Sequence, residues 1–190
     1  MDLKFPQTQA DVPLHKAIKI FKILENKDIS EIAKQLSIIA IYTDHDVKDL
    51  ARVKLKQINL IFEKISSILI ESPRPDFKRE IELGGKHYGF IPDFTKISTG
   101  EFIDIDNLSP DGFGVFNKML AILYRPIIGR SGKFYKIVDY MSEHDDSKHK
   151  RERTFLHMDF ETARGATSFF LTYLNELAKQ SNLSLQEKVK

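Results

Sequence analysis

Phe77-Lys78-Arg79-Glu80-Ile81-Glu82-Leu83-Gly84-Gly85-Lys86-His87-Tyr88-Gly89-Phe90-Ile91 is the stretch that decides the fold class. Residues 77–83 alternate at period two, which in a strand sends successive side chains to opposite faces. Gly84 and Gly85 can both take positive φ, as a two-residue hairpin turn of type I′ requires. The stretch therefore reads as a β-hairpin, with Ile81, Leu83, Tyr88 and Phe90 on its buried face. A lone hairpin is marginal in water, so it must pack on helices or pair with another chain.

On the N-terminal side the pattern is helical. Leu14, Ala17, Ile18, Phe21 and Leu24 recur at helical steps and predict a helix over 13–25, with Pro13 suited to its first position and Asp11 upstream as a cap. A second helix is expected from Asp28, because Asp28 and Glu31 have capping-box spacing. Its end, residues 38–42, is apolar nearly all round, so it is either deeply buried or pressed against a partner. The longest seam runs Val47, Ala51, Leu55, Ile58, Phe62, Ile65 and Leu69. It predicts one continuous third helix of about 35 Å at 1.5 Å per residue, capped by Asp44 or Asp46. Ser72-Pro73-Arg74-Pro75 ends it, since proline removes a donor and restricts the residue before it.

On the C-terminal side, Ser98-Thr99-Gly100-Glu101 has capping-box spacing and opens a short helix over 101–108. Residues 109–112 make a turn. Residues 113–124 are a very apolar helix, ended by Arg125-Pro126, which orient a following loop. Residues 129–132 read as a basic loop, and residues 134–140 as a strand or a short helix. The charge-dense stretch 143–153 cannot bury a face and reads as an exposed loop. A last helix is expected over 159–180, capped by Asp159. Its stripe is Phe160, Ala163, Thr167, Phe170, Leu171, Leu174 and Leu177, with Phe169 and Tyr173 on a second flank. The fold class is α+β, mainly helical. An N-terminal three-helix segment, 1–72, is followed by an α+β segment, 76–180, in which the hairpin packs with two to three helices.

Composition narrows the function. The 190 residues contain 29 Lys+Arg against 27 Asp+Glu, a formal charge of +2. That excludes nucleic-acid binding by bulk charge and leaves a local patch open. With no cysteine, disulfides, thiol catalysis and Cys-ligated metals are excluded. The start lacks the apolar core of a secretory signal, and no apolar run approaches the roughly 20 residues of a membrane span.

Individual polar groups have structural explanations. Asp44-His45-Asp46 reads as helix capping rather than a metal or acid–base cluster, and His144 and His149 lie in a solvated run. Gly129-Arg130-Ser131-Gly132-Lys133 lacks phosphate-loop spacing. The basic groups Lys16, Lys19, Lys22, Lys148, Lys150, Arg151 and Arg153, with Arg130 and Lys133, suit a solvated face or a protein neighbour; direct DNA contact through phosphates is the other reading. No catalytic, cofactor-binding or metal-ligating residue is assigned, and no cofactor, small-molecule substrate or membrane partner is expected.

The surplus is apolar: either one well-filled core absorbs it or other subunits cover part of it. The candidate contact residues are Ile38, Ile41, Tyr42, Phe62, Tyr88, Phe90, Phe169 and Tyr173.

Three strings extend this reading. Tyr88-Gly89-Phe90-Ile91-Pro92-Asp93-Phe94, continuing through Gly100-Glu101-Phe102-Ile103-Asp104, is followed by Met119-Leu120-Ala121-Ile122-Leu123-Tyr124-Arg125-Pro126-Ile127 and by Ala163-x-Gly165-Ala166-x-x-Phe169-Phe170. Spread over residues 85–175, they resemble small virion structural proteins, of ring or connector type, from crAss-like and other Bacteroidetes phages. The resemblance implies a virion protein near the head–tail junction, with copies of itself in a ring and with portal or tail proteins as partners. It carries no catalytic residues. A tail-assembly chaperone or packaged cargo protein is the alternative, and a small enzyme or nucleic-acid-binding protein the rival from another class.

Overall fold

The computed structural model describes residues 6–71 and 75–188. It is mainly helical with a small four-stranded antiparallel sheet, an α+β fold. The expected stop at residues 72–74 lies outside the described residues.

Helix α1, Leu14–Glu25, follows the predicted stripe and also buries Ile20. Pro13 sits just before it in extended conformation. Asp11 closes the preceding turn instead, accepting the backbone N–H groups of Gln7 and Thr8, which hold its carboxyl below the usual range. Helix α2, Glu31–Thr43, starts after Ser30, not at Asp28. The Asp28 N–H donates to Asn26 Oδ1, so the expected capping box does not form. The all-apolar end of α2 is buried: Ile38, Ile39, Ala40 and Tyr42 lie in the core. Asp44 ends α2 in left-handed conformation (φ 57°).

The predicted continuous third helix is broken. Asp46 caps α3, Val47–Leu50, by accepting Lys48 N–H. Residues 51–54 turn, and Lys54 is extended (φ −60°, ψ 136°) before α4, Leu55–Ser66, and a π-helical turn, Ser67–Glu71. Leu50, off the predicted seam, and Ile58, on it, are both fully buried, whereas Val47 and Leu55 of the seam are 41% and 61% exposed.

The hairpin forms as expected. Strands β1, Glu80–Leu83, and β2, Lys86–Phe90, pair with Leu83 opposite Lys86, and Gly84 and Gly85 take φ of 58° and 71°. Tyr88 and Phe90 are buried, and Ile81 and Leu83 half-buried. The sheet then continues where a loop was expected. Strand β3, Tyr124–Ser131, pairs with β2, and β4, Phe134–Ile137, pairs with β3, in the order β1-β2-β3-β4. Arg125 and Pro126 are therefore strand residues, and 129–132 are not a free loop. Gly132 (φ 58°) opens the two-residue β3–β4 turn. Proline disfavours a central strand because it cannot donate to the ladder. Pro126 is accommodated beside a bulge between Ile127 and Gly129, and its carbonyl accepts Val138 N–H.

Helix α5, Thr99–Leu108, has the predicted capping box: Ser98 N–H donates to Glu101 Oε2 and Glu101 N–H to Ser98 Oγ. A 3-10 stretch, Ser109–Val115, leads into α6, Phe116–Leu123, whose residues 119–123 are all buried. Stretch 143–153 is not a loop. It supplies most of helix α7, Asp145–Phe155, which buries only Arg151 and Phe155, one turn apart. Asp145 and Asp146 in its first turn and Arg153 in its last complement the helix dipole. Helix α8, Phe160–Lys188, runs beyond residue 180, and Asp159 caps it by accepting Thr162 N–H at 2.7 Å. The side chain of Leu177 lies outside the described residues.

One core joins the N-terminal and C-terminal segments. Phe21 of α1 stacks on Phe113 (centroids 4.0 Å apart) and packs on Phe160. Leu14 N–H donates to Met158 O, and Phe160 N–H to Val12 O. Phe90 lies among Phe77, Phe94, Tyr124 and Phe169. No helix among the described residues is long and apolar enough to cross a membrane.

Candidate interaction surface

The structure divides the eight expected contact residues. Ile38, Tyr42, Tyr88 and Phe90 are core residues, covered by the chain itself, and so cannot serve as a contact face. The apolar patterns of α2 and β2 signalled burial without indicating what covers them. Ile41 and Phe62 are half-buried and pack against the same core. Tyr173 is half-buried and stacks on Phe94, and Phe169 stacks on Phe77 (4.1 Å, 7° between planes) while remaining 37% exposed. These eight residues do not assemble into one patch.

A buried charge cluster was missed from sequence. Arg125 on β3 sits with Nη2 2.8 Å from Glu101 Oε1, and both side chains are more than nine-tenths buried. Arg151 on α7 is equally buried, donating Nε–H to Ala121 O at 2.7 Å and pairing through Nη1 with Glu143. Tyr140 lies beside both pairs: its hydroxyl donates to Asp104, and the Lys148 ammonium stands 4.1 Å from its ring centre. Burial lowers the Arg125 pKa below its ordinary value, and the Glu101 carboxylate pulls it back up. Burial, then the bond to Asp104, raises the Tyr140 phenol. The cluster ties α5, β3, α6 and α7 together with its charges mutually neutralised. Its one sequence signal was the Ser98–Glu101 capping box, which engages Glu101 Oε2 and leaves Oε1 to Arg125.

The same contacts revise the basic patch. Lys16 pairs with Asp44 at 2.6 Å, Arg130 with Glu80 at 2.6 Å, and Arg151 is internal. Of the Asp44-His45-Asp46 group, Asp44 holds Lys16, Asp46 caps α3, and His45 Nδ1 lies 2.8 Å from Thr43 O.

The β3–β4 arm carries Phe134, the most exposed of the large hydrophobic side chains among the described residues. Tyr135 anchors its inner face, packing on Gly89 and donating its hydroxyl to Phe90 O at 2.7 Å. Its outer side carries Phe134, 80% exposed, and Ile128, 58% exposed. Lys133 at the turn and Lys136 on β4 are exposed and have no ion-pair partner among the described residues. β4 is a terminal strand, so among the described residues one of its edges has no strand beside it. A groove of about 560 Å³ runs between β4 and residues 91–97, walled by Ile97, Phe134, Ile137 and Val138, with Lys96, Arg125 and Lys136 balanced by Asp93, Glu101 and Asp139. Beyond it, Met141 packs against Gly100 and is itself 64% exposed. A strand edge, apolar side chains and cations together suit recognition of a polypeptide. A second hollow, of about 450 Å³ beside α7, is lined by Lys86, Tyr88, Glu143, Ser147, Lys150 and Arg151.

No protein-family model, curated protein or solved structure matches this chain.

Proposed function

We propose that this chain is a non-enzymatic structural subunit of a phage particle, a ring or connector component at the portal–tail junction. It acts by binding copies of itself and neighbouring structural proteins such as portal or tail proteins. The observation that carries the reading is the β3–β4 arm, where Phe134, 80% exposed, stands in solvent on a strand that ends the sheet among the described residues. An exposed strand edge offers unpaired backbone groups to another chain. The particle context comes from the resemblance of the strings within residues 85–175 to ring and connector proteins. The most strongly buried charged groups, Glu101, Arg125, Glu143 and Arg151, are paired with each other, which suits a structural role.

Mass spectrometry of purified particles tests the proposal. The chain is expected as a constituent at a fixed copy number matching a ring. Its absence from particles, with stable binding to a tail protein before assembly, would establish the chaperone alternative instead.

A further inference from the structure

The two ends of the sheet differ in a way that fits one to the other. The β4 end presents a knob: Phe134, flanked by Lys133 and Lys136. The β1 end presents a hollow of about 230 Å³, lined by Glu80, Ile81, Glu82, Leu83, Met158 and Asp159. Ile81, Leu83 and Met158 supply its apolar lining, and Lys78, Glu80, Glu82, Asp159 and Thr162 its polar lining, with three carboxylates against one ammonium. Glu80 is engaged by Arg130, and Asp159 by the start of α8. Glu82 is exposed and has no ion-pair partner among the described residues. Lys78, also at the hollow, donates to Thr162 Oγ1. Phe134 does not fill the hollow of its own chain, since four-fifths of it is in solvent.

We infer that copies of this chain associate head to tail, Phe134 of one copy entering the hollow beside β1 of the next while Lys133 and Lys136 face Glu82. The inference rests on the reading of the chain as a self-assembling subunit and names the two faces that meet. Knob and hollow are different surfaces, so the contact is heterologous. Repeated, it closes into a ring when the rotation per subunit allows and extends as a filament when it does not. The two four-residue edge strands, β1 and β4, are brought side by side by the same contact, so backbone pairing can extend the sheet across it.

Sedimentation velocity on the purified full-length chain over a range of concentrations tests this. The wild type is expected to form assemblies larger than a dimer as concentration rises. Phe134→Ser and Lys136→Glu should each weaken association at least tenfold, and both positions are exposed enough to leave the fold intact, as circular dichroism will verify. Glu82→Lys alone should weaken it similarly, and the Lys136→Glu/Glu82→Lys double variant should recover it. A wild type that stays monomeric at every concentration overturns the inference. So does association that ignores Phe134→Ser, or a double variant no better than its parents. Particle composition is read separately: a monomeric chain found in particles would remove this contact and leave the proposed function standing, whereas a charge-swap-sensitive assembly absent from particles would do the reverse.

Discussion

Replacing Arg125 with methionine, which keeps an unbranched side chain in the same space, should strand the Glu101 carboxylate in the interior. In the wild type the two groups are 2.8 Å apart, with side chains 8% and 5% exposed. Two unit charges about 4 Å apart attract by about 4 kcal/mol at an effective dielectric constant near 20. Much of that attraction offsets the cost of dehydrating both groups, so the pair adds little net stability, but removing one member leaves the other's desolvation uncompensated. The usual loss is about 3–5 kcal/mol. For a chain of this length, 1 kcal/mol corresponds to roughly 2–4 °C in Tm, so Arg125→Met should lower Tm by roughly 6–20 °C. Calorimetry with urea denaturation reads this directly. The decisive variant adds Glu101→Gln, which removes the stranded charge while its amide oxygen can still accept Ser98 N–H. The double variant should be more stable than Arg125→Met by about 2 kcal/mol, a sign opposite to the usual accumulation of damage. Arg125→Met within 1 kcal/mol of wild type, or a double variant less stable than that single one, would refute the assignment of this pair as a closed internal unit.

Other consequences can be checked on the same protein. Ile58→Ala should cost about 2–5 kcal/mol, as for a large-to-small change in a filled core, and Leu55→Ala no more than about 0.5 kcal/mol; similar losses at both positions would restore the continuous third helix. A Cβ on Gly165 would stand 2.6 Å from the Asp76 carbonyl oxygen, so Gly165→Ala should destabilise by about 1–3 kcal/mol, measured by thermal melting. Burial, with Asp11 nearby, pushes the Tyr42 phenol up to about 12, and burial does the same to Tyr135. The folded chain thus keeps protons that the unfolded chain releases near pH 10. Stability should be unaffected by these groups below pH 10 and fall between pH 10 and about 12. Absorbance of tyrosinate should rise together with loss of ellipticity, and full ionisation of a still-folded chain near pH 10 would contradict the burial.

Local pattern was enough wherever a segment's structure follows from its own residues. The Gly84-Gly85 hairpin, the Ser98–Glu101 capping box, the caps at Asp46 and Asp159 and the stripe of α1 all depend on neighbours within a turn or two, whereas in α8 Phe160, Ala163, Thr167 and Phe170 of the expected stripe are buried and Leu171 is 50% exposed. Alternation and periodicity likewise announced that Ile38, Tyr42, Tyr88 and Phe90 would be covered. Whether the cover was this chain or another was not legible, because burial leaves the same pattern either way. Stretch 143–153 looked like a loop because an apolar stripe is the usual sign of a helix. In α7 the buried positions are held by one phenylalanine and by an arginine whose partners, Ala121 and Glu143, lie outside the helix.

Propensity, period and composition act within short stretches, and they were enough to make this a mainly helical α+β chain with a glycine-turned hairpin and no thiol chemistry. Long-range packing set the rest: β3 and β4 extend the hairpin into a sheet, the predicted third helix is broken between Leu50 and Leu55, and Phe134 stays outside. Those outcomes depend on which surfaces meet across the whole chain, and a strand edge or a buried charge pair exists only once distant residues have come together.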